Sequence, residues 1–325
     1  MNCLKLFLLL SIFLLPGCGK QAGYDLTEIK SPIIFKGDSL TAYRDPAVLF
    51  HNGRFYLFFT IVRIEGDSIF NYTAQSESDD LVQWNEPRIL TPRSQLTNFS
   101  SPGNVVRFGA EWVMCLQSYP RPDYTVGQMP RYGNSGARLY TMRSRDLINW
   151  SEPKLLKVKG AAAKKDMGRM IDPYLVQDKD DPAKWWCFFK QNGISMSYSY
   201  DLENWIYVGS TPGGENVCVL VENNEYILFH SPPNGIYIRK SRNLQNWADW
   251  GTPICLGQEV WPWAHGRLTA GMVLNLDAVP GINAHLMFFQ ASGPLTEHEG
   301  DFDKNSSIGI AWSKNLINWQ YPSGK

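Results

Sequence analysis

The chain has 325 residues and a formal net charge of zero, and aromatic residues make up 13% of it, twelve of them Trp. Zero net charge argues against a nucleic-acid partner, which needs a basic surface. The aromatic-rich composition, with frequent Gly and Pro, suits an all-β chain with many turns and does not suit a helical bundle.

The first element is a targeting segment. MNCLKLFLLLSIFLLPGCGK has one Lys and then an apolar run from Leu6 to Leu15. That run is short for a permanent span and has signal-peptide form. Its ending, LPGC, resembles a bacterial lipobox. The resemblance implies cleavage before Cys18 and a lipid on its thiol. Such a chain is an exported lipoprotein of the periplasm, outer membrane or cell surface, touching the membrane only through that anchor. Residues 1–17 are then the leader, 18–41 a tether and lead-in, and 42–325 a single folded domain.

From residue 42 onward one unit recurs. In the first repeat, DPAVLFHNGRFYLFFT reads as a strand, an Asn52-Gly53 hairpin turn and an apolar strand. SPGNVVRFGAEWVMCLQS, DPYLVQDKDDPAKWWCFFKQ, ENVCVLVENNEYILFHS and HGRLTAGMVLN…AHLMFFQAS repeat it, the last with a long insertion. A second motif follows each: SDDLVQW (78–84), SRDLINW (144–150), SYDLENW (199–205), SRNLQNW (241–247) and SKNLINW (313–319). It lies between two strand-like runs, where Asp or Asn can bond the turn backbone while Leu and Trp pack between sheets. Four strands per repeat and five repeats predict an all-β fold, a five-bladed β-propeller of four-stranded antiparallel blades. A β-sandwich would leave the fixed place of the motif in every repeat unexplained. Cys115, Cys187, Cys218 and Cys255 show no CxxC spacing, which argues against zinc. The first three sit in apolar runs and read as buried free thiols.

In a propeller the start of each blade's first strand converges on the axis. Eleven residues separate Asp45 from Tyr56, Ser101 from Trp112 and Glu215 from Tyr226. This places Asp45, Ser101 and Glu215 at one position of the repeat. Asp172 of IDP takes it in the third blade and His265 of AHG in the fifth. Singly, Asp45 or Asp172 before Pro is as readily a turn-former. Three acids sharing one repeat position form a site, because converging carboxylates repel and raise at least one pKa.

YRDPAV (43–48), IDPYLV (171–176) and GENVCV (214–219), set in five repeats, resemble family 43 glycoside hydrolases and their five-bladed relatives. The resemblance covers essentially the whole mature chain. It implies that Asp45 is the general base, Asp172 the residue that tunes and orients the acid, and Glu215 the general acid. It further implies an inverting hydrolase, exo-acting on pentose or furanose glycans such as arabinofuranosides, with an oligo- or polysaccharide as partner and no required cofactor. Two departures bear on substrate: Glu215-Asn216-Val217 replaces the frequent Glu-Gly-Pro, and Ser101-Pro102-Gly103 replaces Ala-Pro-Asp. His265 resembles a residue near an axial calcium in some relatives; a hydrogen-bonding pocket His is the equal alternative. Trp261 and Trp263 are the foremost candidates for sugar stacking, then Tyr119 and Phe70, with inter-blade packing as the alternative for each. Arg44, Arg169 and Arg267 flank the axial residues and could bind hydroxyls or an acidic sugar, and Ser101 joins them as a binding residue. The competing functions are a retaining fructan- or sucrose-cleaving propeller, whose Trp-Met-Asn-Asp-Pro-Asn-Gly and Glu-Cys motifs are lacking, a glycoside phosphorylase, for which no basic phosphate cluster is evident, and a non-catalytic glycan-binding lipoprotein.

Overall fold

The computed structural model describes residues 23–133 and 135–322. The leader and Cys18 lie outside these residues. Five antiparallel sheets follow one another along the chain. Blade one comprises Thr41–His51, Arg54–Glu65, Ser68–Ser78 and Arg88–Ile89. Blade two comprises Phe99–Phe108, Glu111–Ser118, Arg138–Ser144 and Lys154–Leu155. Blade three runs through Ile171–Gln177, Trp185–Lys190, Ile194–Ser199 and Ile206–Thr211. Blade four holds Glu215–Glu222, Glu225–Ser231, Tyr237–Ser241 and Ala248–Asp249. Blade five holds Arg267–Asn275, His285–Ser292 and Ser307–Ser313. The chain is thus the five-bladed propeller of four-stranded blades that its repeats predict.

Blade five is completed by both ends of the described chain. Ile33–Phe35 and Trp319–Gln320 pair with different parts of Ser307–Ser313. Residues 33–35 fall in the stretch read from sequence as lead-in, yet they belong to the ring. Phe35 stacks on Tyr43 and Phe59 of blade one, with centroids 5.4 and 5.0 Å away.

The second strand of each blade is sandwiched between neighbouring blades, so both of its faces are buried and its sequence is almost continuously apolar. Phe55, Leu57, Phe58 and Phe59 show the pattern in blade one, and Leu286, Met287, Phe288 and Phe289 in blade five, all fully buried. Asn52-Gly53 and Asn223-Asn224 close hairpins with both residues at positive φ, the geometry that matches strand twist. Cys115, Cys187 and Cys218 are buried free thiols, and Cys255 is an exposed one. Burial pushes Cys115 up to about 12 and Cys218 up to about 11, so neither is a nucleophile near neutral pH.

Candidate active site

Each inner strand breaks register near its start, between Arg44 and Ala47, Ser100 and Asn104, Ile171 and Tyr174, Glu215 and Cys218, and Thr269 and Met272. At every break one non-glycine residue takes a left-handed φ: Asp45 at 50°, Ser101 at 43°, Asp172 at 52°, Asn216 at 51° and Ala270 at 54°. A bulge re-aims one side chain, and five around an axis aim them at the same space. Asp, Asn and Ser bear this backbone more readily than branched residues do.

Two sequence expectations need correction here. The residue equivalent to Asp45 in blade four is Asn216, and Glu215 stands one position earlier, level with Arg44, Ile171 and Thr269. The two-residue turns set this register: Ala47 pairs with Phe58 just past the bulge as Cys218 pairs with Phe229. Counting from Tyr56 and Tyr226 therefore slips by one. In blade five the equivalent residue is Ala270, not His265.

A ring of bonds between blades secures the bulges. Gln290 accepts from the Asp45 amide at 3.2 Å, Thr60 from the Ser101 amide at 2.7 Å, Gln117 from the Asp172 amide at 2.8 Å and Ser231 from the Ala270 amide at 2.9 Å. Each acceptor lies on the second strand of the preceding blade. In blade three that place belongs to Lys190, which pairs with Ile171 and has no acceptor to offer. The Asn216 amide donates instead to Asp172 Oδ2 at 3.3 Å.

The space above the ring is a cavity of about 910 Å³. Asp45, Asp172 and Glu215 line it, as do Arg44, Ser101, Tyr119, Arg169 and Arg267. Asp45 is held by three donors: Thr60 Oγ1 and Ser101 Oγ reach its Oδ2 at 2.9 Å each, and Asn216 Nδ2 reaches Oδ1 at 3.4 Å. Asp172 is pushed up to about 8, first by burial and then by the charges of Glu215 and Asp45. It therefore carries a proton at neutral pH. Glu215 accepts from Arg267 Nη2 at 2.7 Å, and the other terminal nitrogen of Arg267 meets Glu297 at 2.5 Å. The proton held in the free cavity thus rests on Asp172.

One wall comes from the loop between the second and third strands of blade five. Glu297 on this loop is buried, accepts from Gln290 Nε2 at 3.0 Å and faces Arg44 at 4.0 Å. Phe302 lies beneath the Arg44 guanidinium at 4.2 Å and against the Tyr132 ring at 4.6 Å. Asp303 anchors the loop through Arg121 at 2.8 Å, an ion pair buried on both sides, and accepts from the Tyr124 hydroxyl. Opposite, His230 Nδ1 accepts from the Gly214 amide at 3.0 Å, which leaves the ring proton on Nε2. Burial and then the charge of Arg239 push His230 down to about 4, so the ring is neutral at working pH.

Trp261, Trp263, His265 and Phe70 are not brought to the cavity. Trp261 is buried and stacks on Trp263 at 5.2 Å and on Phe289 at 6.5 Å. His265 ends the short turn Pro262–Ala264 and is exposed, because the inner strand begins only at Arg267. Phe70 is buried under Arg93 at 3.7 Å on the flank of blade one. Among the described residues no group of three or more His, Cys, Asp or Glu is arranged to hold a metal ion. The residues missed from sequence are Glu297, Asn216, Lys190, His230, Tyr132 and Phe302. Asn216, Lys190 and His230 carried a signal, their places in the repeat; Glu297, Tyr132 and Phe302 sit on the long loops between the second and third strands of blades five and two, outside the repeated strands.

No protein-family model and no curated protein matches the sequence. Solved structures share the architecture. A thermostable family 43 glycoside hydrolase is 13% identical with a TM-score of 0.58, over 91% of this chain and 96% of that one. The catalytic domain of a family 62 α-L-arabinofuranosidase from Coprinopsis cinerea is 14% identical with a TM-score of 0.62, over 88% and 96%. A family 117 glycoside hydrolase produced by the marine bacterium Zobellia galactanivorans is 14% identical with a TM-score of 0.59, over 84% of each chain. The chain shares the five-bladed propeller of these enzymes.

Proposed function

We propose that the cavity hydrolyses glycosidic bonds. The observation that carries this reading is the meeting of Asp45, Asp172 and Glu215, from three blades, at one cavity in which Asp172 stores a proton at neutral pH. Glycoside hydrolysis needs one protonated carboxyl at the leaving oxygen and one carboxylate acting on water. Asp45, fixed by Thr60, Ser101 and Asn216, takes the proton from the attacking water. The water oxygen bonds to the anomeric carbon, and the bond from that carbon to the leaving oxygen breaks. Glu215 gives the leaving oxygen its proton, which the pair draws from Asp172 as substrate displaces Arg267. Attack by water on the face opposite the leaving group inverts the anomeric centre. His230 Nε2 and Tyr119 offer uncharged hydroxyl-binding groups.

Pentose or furanose glycans, arabinofuranosides among them, are the proposed substrates, cleaved from the chain end. Support comes from the motif resemblance and from the family 62 arabinofuranosidase among the similar structures. The LPGC motif supports an exported lipoprotein anchored through Cys18. Partition of the mature protein into the detergent phase tests the anchor, and loss of that partition in Cys18→Ser is expected.

A panel of chromogenic aryl glycosides and of plant and microbial glycans tests the activity. Release of sugar, with an inverted anomer seen first by NMR, is expected. Binding without release would make the chain a glycan-binding module, and a retained anomer would make Asp45 a nucleophile.

A further inference from the structure

Among the described residues four cations line the cavity, and they fall into two sets. Arg44 and Arg267 face Glu297, and Arg267 also holds Glu215. Arg169 and Lys190 both line the cavity from blade three, Arg169 two residues before Ile171 and Lys190 paired with Ile171 across the strands. Both are half-buried. Lys190 Nζ donates to the Gly213 carbonyl at 3.1 Å, and the Arg169 guanidinium lies 6.0 Å from the Tyr119 ring. Among the described residues neither forms an ion pair. The nearby carboxyl, Asp172, does not balance them at neutral pH, because burial keeps it protonated. At this position of the repeat the other blades place Thr60, Gln117, Ser231 and Gln290, neutral groups that accept an amide. Blade three gives up that bond and puts a cation into the cavity instead. A partly desolvated cation without a counter-charge is costly, and a bound anion removes the cost.

We propose that Arg169 and Lys190 form an anion-binding corner that receives a carboxylate or sulfate ester of the glycan beside the bond to be cleaved. The substrate is then an acidic glycan, which deepens the hydrolase reading and rests on it for the identity of the ligand as a sugar. Arg169 offers a planar fork suited to either oxyanion, and Lys190 a point charge from the same blade. His230 Nε2 and the Gly213-Gly214 backbone flank the same corner and are uncharged.

The test is binding, measured by titration calorimetry on the whole mature protein, with three oligosaccharide probes of equal length that each end in an arabinofuranose: one carrying a uronate beside it, one a sulfate ester, and one neutral. At least one acidic probe is expected to bind about tenfold or more tighter than the neutral one, with a preference that shrinks as salt rises. Which acidic probe wins separates carboxylate from sulfate. Arg169→Gln with Lys190→Gln should abolish the preference, and Arg169→Lys, which keeps the charge and guards against misfolding, should retain most of it. Equal affinity for neutral and acidic probes, no binding of either acidic probe, or an unchanged preference in the double variant overturns the proposal. Binding with this preference but without turnover of any glycan would remove the hydrolase reading and leave the anion corner standing.

Discussion

Asp172 is the residue whose charge the cavity opposes most, and this has a consequence for stability. Its ordinary value is about 4, and in the fold it is pushed up to about 8. A raised carboxyl favours the protonated form in the folded state. Stability is therefore fully present below about pH 4 and is lost as pH rises towards about 8, because the unfolded chain releases the proton first. Asp172→Asn keeps an oxygen that can accept the Asn216 amide and removes the titration. Urea unfolding at pH 5 and pH 8.5 should show the wild type losing ground to the variant, by on the order of a few kcal/mol. Turnover on natural glycans should in turn fall as pH passes about 8 and the stored proton leaves. If the gap between wild type and variant is the same at both pH values, Asp172 does not titrate in this range.

At the scale of the element, the recurring turn motif is explained by what its residues bond. Ser144 Oγ accepts from the Leu147 amide at 2.9 Å, and Asp146 Oδ1 accepts from the Ile148 and Asn149 amides at 2.9 and 2.7 Å. Leu81, Leu147, Leu202, Leu244 and Leu316 all take a positive φ, which Leu rarely adopts, and all are buried. The burial holds the turn in this shape. Leu147→Ala should cost about 2–5 kcal/mol in chemical unfolding. Asp146→Asn should leave turnover nearly intact, since Asn243 and Asn315 accept the same two amides in their repeats. This motif was legible in sequence because each residue type reports its own bond. Asp45 and Asp172 were legible through the repeat position they share, since Asp before Pro taken singly is as readily a turn-former. Glu215 was found as a site residue but misplaced by one, because hairpin register is set at the turn and not at the aromatic from which spacing was counted. The Trp261-Pro262-Trp263 stretch misled: tryptophans that resemble a sugar platform instead fill the core beside Phe289. Glu297 was illegible because its role depends on a loop fold that no repeat encodes.

At the scale of the molecule, closing the ring is a long-range problem. Residues 33–35 must find residues 307–313 before blade five is complete, and Phe35 then bridges blades one and five. Phe35→Ala should lower stability by up to about 3 kcal/mol, the worth of burying such a side chain. Unfolding followed by fluorescence and by circular dichroism should remain one transition in the variant. Two separated transitions would mean that the blades do not depend on this closure. The same ring brings acids from blades one, three and four to one cavity, and the blade-five loop walls it through Glu297 and Asp303. The central claim is that this cavity divides acid and base work between Glu215 and Asp45. The most direct measurement compares Glu215→Ala and Asp45→Ala on a natural glycan and on a dinitrophenyl glycoside of the same sugar, whose leaving group hardly needs a proton. Glu215→Ala should lose about 10²–10⁴-fold on the natural glycan and keep much of its rate on the dinitrophenyl glycoside, whereas Asp45→Ala should fail on both. Equal losses by both variants on both substrates would contradict the assignment.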